Sequence, residues 1–214
     1  MIRPLLVLLA VWTLPIFFLG WLRGQSLLLI QRLTVDVAAL TGAPPYLGLL
    51  SNFGVALWLI TGWLLIFVGW TLAERPRDFF WIGVLSLWLG LDDGLMLHEA
   101  VIPGWLGISD RVVQPALYAT YLAILWKGLR SHSMDRWSLI LAASLSTLAT
   151  SLLIDVLKES EWLDPRHPLH LQPAFAMWCE DGLKWLGILA WSAYWQIQAY
   201  RRLHSKLVKT GDFQ

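Results

Sequence analysis

Charged residues are scarce in this chain of 214 residues: they make up 14% of it, against 57% for hydrophobic residues. A soluble domain usually carries about 25% charged residues, so a water-exposed fold could not cover this much apolar surface. Cysteine is nearly absent, and the single Cys179 excludes a disulfide within the chain. The net charge of +1 gives no basis for a nucleic-acid partner. These shortages point to the lipid bilayer as the main partner and exclude a soluble class.

Long apolar segments are what the sequence does have. A helix needs about 20 apolar residues to cross about 30 Å of hydrocarbon. Six segments meet that length, at about residues 4–22, 53–73, 79–102, 112–129, 137–157 and 174–200. A stretch at about residues 26–40 has apolar residues at helical spacing and predicts a helix lying on the membrane surface. We therefore predict an all-α, polytopic membrane helical bundle that forms one domain over residues 1–214.

The basic residues indicate how the predicted spans are oriented. With six spans, both termini and every second loop share one side, which carries ten Lys and Arg residues: Arg3, Arg75, Arg77, Lys127, Arg130, Arg136, Arg201, Arg202, Lys206 and Lys209. The opposite side carries five: Arg23, Arg32, Arg111, Lys158 and Arg166. Because cytoplasmic loops are enriched in Lys and Arg, both termini are predicted to lie in the cytoplasm.

Ionisable residues inside predicted spans are costly in lipid and therefore point to function. The third, fifth and sixth spans carry such residues: Asp92, Asp93, His98, Glu99, Asp155, Glu180, Asp181 and Lys184. On the fifth span, one polar stripe about 80° wide contains Ser144, Thr147, Ser151, Asp155 and Lys158. At a rise of about 1.5 Å per residue, Glu99 lies about 6 Å and Asp92 about 16 Å below the outer surface. We therefore predict a polar pocket in the outer half of the bilayer, facing the exoplasmic side.

The angular positions of these residues around their helices limit which of them can face the pocket together. Asp92 and Glu99 lie within about 20° of each other around the third span. Lys184 lies at the depth of Asp92, which predicts an ion pair between the two. An ideal helix cannot aim every polar group of the third span at one point, unless a kink at a glycine relaxes this constraint.

Three functions stay open for the pocket. Carboxylates and a histidine from facing helices are typical of metal sites in bundles. The leading hypothesis is a divalent metal ion, with a catalytic or binding role, held by Asp92, His98, Glu99, Glu180 and Asp181. Carboxylates beside a buried lysine are typical of proton relays, so an ion- or proton-coupled transporter is the alternative. The third is an accessory subunit of a larger membrane complex, in which the charged groups only satisfy one another.

Histidines outside the third span carry weaker signals. His167 and His170 lie in a predicted outer loop above the pocket, where they could complete a metal shell or act as a general base. His132 and His204 lie among cytoplasmic basic residues and are interpreted as bystanders.

Two short motifs carry a resemblance. In the first, Asp92-Asp93, four residues and His98-Glu99 end a central span; in the second, a late span begins with the paired acids Glu180 and Asp181. This pattern resembles small uncharacterised multi-pass membrane proteins of bacteria. The resemblance implies a bacterial inner membrane or its equivalent and a recurring membrane site, but no known activity.

Overall fold

The computed structural model describes residues 42, 48–72, 77–130, 132–158 and 173–211. The chain divides into two compact units, Met1–Leu49 and Leu50–Gln214. The predicted first span at 4–22, the predicted surface helix at 26–40 and the loop with His167 and His170 lie outside the described residues. The single domain over residues 1–214 therefore stays a prediction, and the fold below is that of the second unit.

Within the described residues all regular structure is helical, as predicted. It comprises six α-helices and one π-helical segment: α1 (Leu49–Thr71), α2 (Arg77–Leu95), the π-helical segment (Leu97–Val101), α3 (Ile102–Leu106), α4 (Asp110–Leu129), α5 (Ser138–Lys158) and α6 (Pro173–Gly211). A helix coincides with each predicted span from the second to the sixth, so the sequence located these elements correctly.

Two of the described helices are long and apolar enough to cross a membrane, namely α1 and the part of α5 at Ser138–Asp155. A third is added if α2 and the segment Leu97–Leu106, bent by 61° from it, are taken as one span. Large apolar side chains on α1 also form one exposed row: Phe53, Ile60, Trp63, Phe67 and Trp70. Their spacing of three, four and seven residues puts them on one helix face, which suits contact with lipid.

Bulky aromatic side chains of α6 fill the core. Trp191, Tyr194 and Trp195 are fully buried. The Trp191 ring contacts Trp58 of α1 at 5.5 Å between ring centroids, and the Trp195 ring contacts Phe79 of α2 at 6.1 Å. Large aromatic rings bury much apolar area in defined geometries, so these contacts fix α6 against α1 and α2.

Glycines let α1 and α2 approach closely. A Cβ atom on Gly62 would lie 2.8 Å from the backbone nitrogen of Leu87, and one on Gly83 would lie 2.9 Å from the Gly62 carbonyl oxygen. Small residues at such crossings are typical of helix pairs in membranes. Residues near Gly62 on α1 are therefore level with residues near Leu87 on α2.

The predicted polar stripe on α5 faces α6. Ser144 Oγ donates a hydrogen bond to the Gly187 carbonyl oxygen at 2.8 Å, and Ser151 Oγ donates to the Glu180 carbonyl oxygen at 3.0 Å. Hydroxyl side chains commonly join helices in this way. The stripe therefore holds two helices together, at least at these two positions.

Candidate functional site: two buried Asp–His–Tyr networks

A backbone break ends α2 inside the predicted third span. Met96 has φ 52° and ψ 44°, in the left-handed region, which costs a non-glycine residue about 1–2 kcal/mol. The π-helical segment follows, closed by a hydrogen bond of 3.1 Å from the Val101 N–H to the Met96 carbonyl oxygen. Such π-helical turns and strained residues occur often at functional sites. The kink that would relax the predicted geometry therefore exists, at Met96 rather than at a glycine.

The break brings Asp92 and His98 together. Asp92 is 4% exposed, and its carboxylate accepts hydrogen bonds from the His98 backbone N–H at 3.0 Å and from the Tyr121 hydroxyl at 2.7 Å. His98 Nδ1 lies 2.9 Å from the same carboxylate. On an uninterrupted helix Asp92 and His98 would point about 120° apart. The left-handed residue Met96 and the wider π-helical turn change this angle, so that both side chains point to the same place.

His98 also faces a second carboxylate. Its Nε2 atom lies 3.4 Å from Glu99 Oε1, and the side chains of His98 and Glu99 are 12% and 51% exposed. The His98 ring packs beside Tyr118, with 5.9 Å between ring centroids. We call Asp92, His98, Glu99 and Tyr121 the Asp92 network. It runs from a buried carboxylate through an imidazole to a half-exposed carboxylate.

Lys184 pairs with Asp93, so the predicted ion pair between Asp92 and Lys184 is wrong. Lys184 Nζ donates to Asp93 Oδ1, and the charges of Glu99 and Asp181 also act on this ammonium. Asp92 and Asp93 point about 100° apart around α2. Asp92 therefore faces Tyr121 of α4, and Asp93 faces Lys184 of α6.

The remaining predicted site residues are less closely joined. Asp181 is exposed, whereas Glu180 and Asp155 are half-buried, and the backbone of Glu180 binds Ser151. Among the described residues, no group of three or more His, Cys, Asp or Glu side chains is arranged to hold a metal ion. The predicted divalent-cation site therefore gains no support from this part of the chain.

A second network lies at the other end of α2. His132 Nδ1 lies 3.0 Å from Asp78 Oδ2, and His132 Nε2 lies 2.6 Å from the Tyr194 hydroxyl. Arg202 Nη2 donates to the same Asp78 oxygen at 3.3 Å. The His132 and Asp78 side chains are 2% and 3% exposed. We call these four residues the Asp78 network.

His132 is interpreted from the sequence as a bystander among basic residues, but its imidazole is buried and has a partner at both ring nitrogens. Its partners are 54 and 62 residues away in the sequence, so no local motif marks it. The available signal was Asp78 itself, a carboxylate at the start of an apolar helix and next to basic residues.

Asp135 anchors the connection between α4 and α5 close to the Asp78 network. Asp135 Oδ1 accepts from the Trp137 N–H at 3.0 Å, and the Asp135 N–H donates to Ser138 Oγ at 2.9 Å, a reciprocal arrangement like a capping box. Its other oxygen accepts from Gln198 at 3.1 Å and from Arg201. Burial by itself would raise the pKa of Asp135, but the hydrogen bonds from Gln198, Arg201 and the Trp137 N–H outweigh it and lower that pKa.

Fold and site together define the class: a helical protein with two or three described helices able to span a membrane and two buried Asp–His–Tyr networks. The chain belongs to the family described as a domain of unknown function (DUF8692), whose model matches residues 4–196. No curated protein and no solved structure matches it. The family description, like the resemblance seen in the sequence, carries no activity, so a function has to be argued from the geometry.

Proposed function

We propose that this chain transfers protons in a membrane, within the ion- or proton-coupled class, and that the Asp92 network is its proton-binding site. The observation that carries the proposal is the bridging position of His98, with Nδ1 2.9 Å from Asp92 and Nε2 3.4 Å from Glu99. An imidazole can accept a proton at one nitrogen and release one from the other. The three side chains thus form a relay from a half-exposed group to a buried one.

Each transfer in this relay conserves protons. A protonated Glu99 gives its proton to His98 Nε2 while His98 Nδ1 gives its own proton to the Asp92 carboxylate. The ring then exchanges its two protonation sites by rotation or by transfer to water. Tyr121 holds Asp92 in place throughout, because its hydroxyl donates to Asp92 at 2.7 Å and accepts from Trp88 Nε1 at 3.2 Å.

The charge balance supports a site that gains and loses protons. Three carboxylates, Asp92, Asp93 and Glu99, share this region with the Lys184 ammonium and the His98 imidazole. The balance of charge therefore depends on the protonation of His98 and the acids. Ionisable groups set in a membrane bundle are typical of proton pathways.

The topology belongs to the same proposal. Six spans with both termini in the cytoplasm would put the Asp92 network in the exoplasmic half of the bilayer. The support is the ten-to-five distribution of basic residues in the sequence and the agreement of five predicted spans with helices. Half-exposed Glu99 would then be the group that meets water on the outer side.

Proton flux into liposomes tests this function. The purified full-length chain would be reconstituted into phosphatidylcholine liposomes that contain a pH-sensitive dye, and a potassium diffusion potential would drive protons inward. We expect acidification above that of protein-free liposomes. Asp92→Asn and His98→Gln should both lose it, because the first removes the buried acceptor and the second removes the bridging imidazole.

Asp110→Asn is the matched control, since it removes a carboxylate at the start of α4 that bonds its neighbours Ser109 and Arg111 and should leave the flux unchanged. Circular dichroism would confirm that all variants keep their helices. A wild type that acidifies no faster than protein-free liposomes, or a folded His98→Gln variant with full flux, would refute the proposal.

A further inference from the structure

Each network contains an aspartate, a histidine and a tyrosine, and the two aspartates lie on one face of α2. Each joins an aspartate on α2 to a histidine through Nδ1, and each includes a tyrosine hydroxyl. Asp92 follows Asp78 by about 14 residues, which separates them by about 21 Å along the helix axis and about 40° around it. Two similar protonatable groups thus lie on the buried face of one helix, at opposite ends.

Both histidines are engaged at both ring nitrogens. His98 bridges Asp92 and Glu99, and His132 bridges Asp78 and Tyr194. A buried imidazole needs a hydrogen-bond partner at each of its two ring nitrogens. In both networks one of those partners is a buried aspartate. His132 thus bridges an aspartate and a second oxygen group as His98 does, with the Tyr194 hydroxyl in the place that Glu99 takes at His98.

Hydroxyl groups lie between the networks. Ser86 on α2 accepts a hydrogen bond of 2.9 Å from Trp191 Nε1 and donates one of 2.9 Å to the Ile82 carbonyl oxygen; it is about 12 Å from Asp78 and about 9 Å from Asp92 along the axis. Thr61 precedes Gly62, which is level with Leu87. Ser192 follows Trp191 on α6 and precedes Tyr194 of the Asp78 network.

Two of these hydroxyls are buried without a hydrogen-bond partner among the described residues. Thr61 is 0% and Ser192 3% exposed, and neither Oγ atom is bonded. Trp195 Nε1, whose ring lies 4.9 Å from the His132 ring, is in the same state. Buried polar atoms are nearly always bonded to protein or to ordered water. These atoms are therefore candidates for hydrogen bonds to internal water.

We infer that the Asp78 network is the second terminal of the proton path, and that internal water bound to the Thr61 and Ser192 hydroxyls connects it to the Asp92 network. This inference rests on the proposed function, because it completes the path that starts at Glu99. His132 hands protons onward at the end where Arg202 and the basic segments lie, which the sequence assigns to the cytoplasm. Arg202 stays paired with Asp78 and keeps the total charge of that terminal from becoming negative.

The same liposome assay tests the inference with different variants. The double variant Thr61→Val, Ser192→Ala removes the two hydroxyls that have no described partner, so it should leave the fold intact and abolish the flux. His132→Gln should abolish it as well, because an amide keeps hydrogen bonds but does not relay protons. Thr150→Val is the control, since this exposed hydroxyl on α5 bonds only its own helix at the Ser146 carbonyl oxygen.

The outcomes separate the inference from the proposed function. Absence of flux in the wild type would refute the proposed function. Wild-type flux that is lost in Asp92→Asn but retained in the double variant, or in a folded His132→Gln variant, would overturn the inference and leave the function standing. Loss of flux in the double variant and in His132→Gln, with unchanged thermal unfolding of the double variant and full flux in Thr150→Val, would support the complete path.

Discussion

The Asp92 and Asp78 networks use the same side-chain types, but the chain assembles them differently. Asp92 and His98 are six residues apart, whereas His132 is 54 residues from Asp78 and 62 from Tyr194. The first network joins Asp92, His98 and Glu99 where one helix breaks, and only Tyr121 comes from another helix. The second requires α2, α6 and the connection between α4 and α5 to pack together. Similar chemistry can therefore come from a local backbone feature or from the whole bundle.

The networks also differ in how their charge is balanced. Arg202 supplies a permanent positive charge beside Asp78, whereas Asp92 faces His98, which is charged only when protonated. The His132 and Asp78 side chains are almost fully buried and the Asp78 network reaches the surface through the partly exposed Arg202, whereas the Asp92 network reaches half-exposed Glu99. We therefore expect the Asp78 network to contribute more to stability, and the Asp92 network to respond more directly to protons.

The largest effect should come from removing the two aspartates. Asp78→Ala leaves Arg202 and His132 without their carboxylate and should lower the free energy of unfolding by about 3–5 kcal/mol. Asp92→Ala should lower it by about 1–3 kcal/mol, the usual loss for unpaired hydrogen-bonding groups. Denaturant unfolding in detergent, followed by tryptophan fluorescence, would measure both. Equal losses, or a larger one for Asp92→Ala, would contradict the proposed difference between the networks.

The next largest loss of stability should come from a substitution at the crossing of α1 and α2, which lies between the two networks. Gly83→Ala puts a Cβ 2.9 Å from the Gly62 carbonyl oxygen, so α1 and α2 must move apart. We expect a loss of about 1–3 kcal/mol. Gly182→Ala is the matched control, because a Cβ there would have no neighbour within 4 Å. Similar unfolding of the two variants would show that the close approach of α1 and α2 is not needed.

The backbone break can be tested alone. Met96→Val places a β-branched residue at φ 52° and should lower the free energy of unfolding by about 1–2 kcal/mol. Met96→Gly should raise it by up to about 1 kcal/mol, because glycine adopts this conformation without strain. Thermal unfolding of both variants would measure the change. If Met96→Val were as stable as the wild type, the left-handed turn that brings His98 to Asp92 would be in doubt.

The smallest effect should be the pH dependence at Asp135. Its pKa is lower in the folded protein than its usual value, so its bonds stabilise the fold above that usual value, about 3.9. This stabilisation should disappear as the pH falls below about 4 and through the folded pKa. Thermal unfolding between neutral pH and about pH 3 should therefore show a smaller decrease for Asp135→Asn than for the wild type. Equal decreases in the two proteins would show that groups other than Asp135 cause the sensitivity to acid.

Sequence reasoning located the described helices and put Asp92, His98 and Glu99 in one predicted pocket, but it did not include Tyr121. The apolar segments predicted α1, α2, α4, α5 and α6, because burial in lipid requires long runs of apolar residues. The depth argument brought Asp92, Glu99 and Lys184 to one region, and the structure pairs Lys184 with Asp93, the residue after Asp92. The depth argument named the wrong partner for Lys184. Asp92 and Asp93 point about 100° apart around α2, and which of them faces α6 depends on where the neighbouring helices lie.

The sequence by itself determined the helical class and the position of the apolar segments, because these depend on composition and on periodicity along a single helix. It also located the acidic end of α2, since ionisable groups in an apolar run stand out. Only the tertiary structure decided that Met96 breaks the helix and that His98 bridges two carboxylates. The tertiary structure likewise paired His132 with Asp78. Packing between distant helices fixes those choices, and its energy is set by contacts that no local pattern contains.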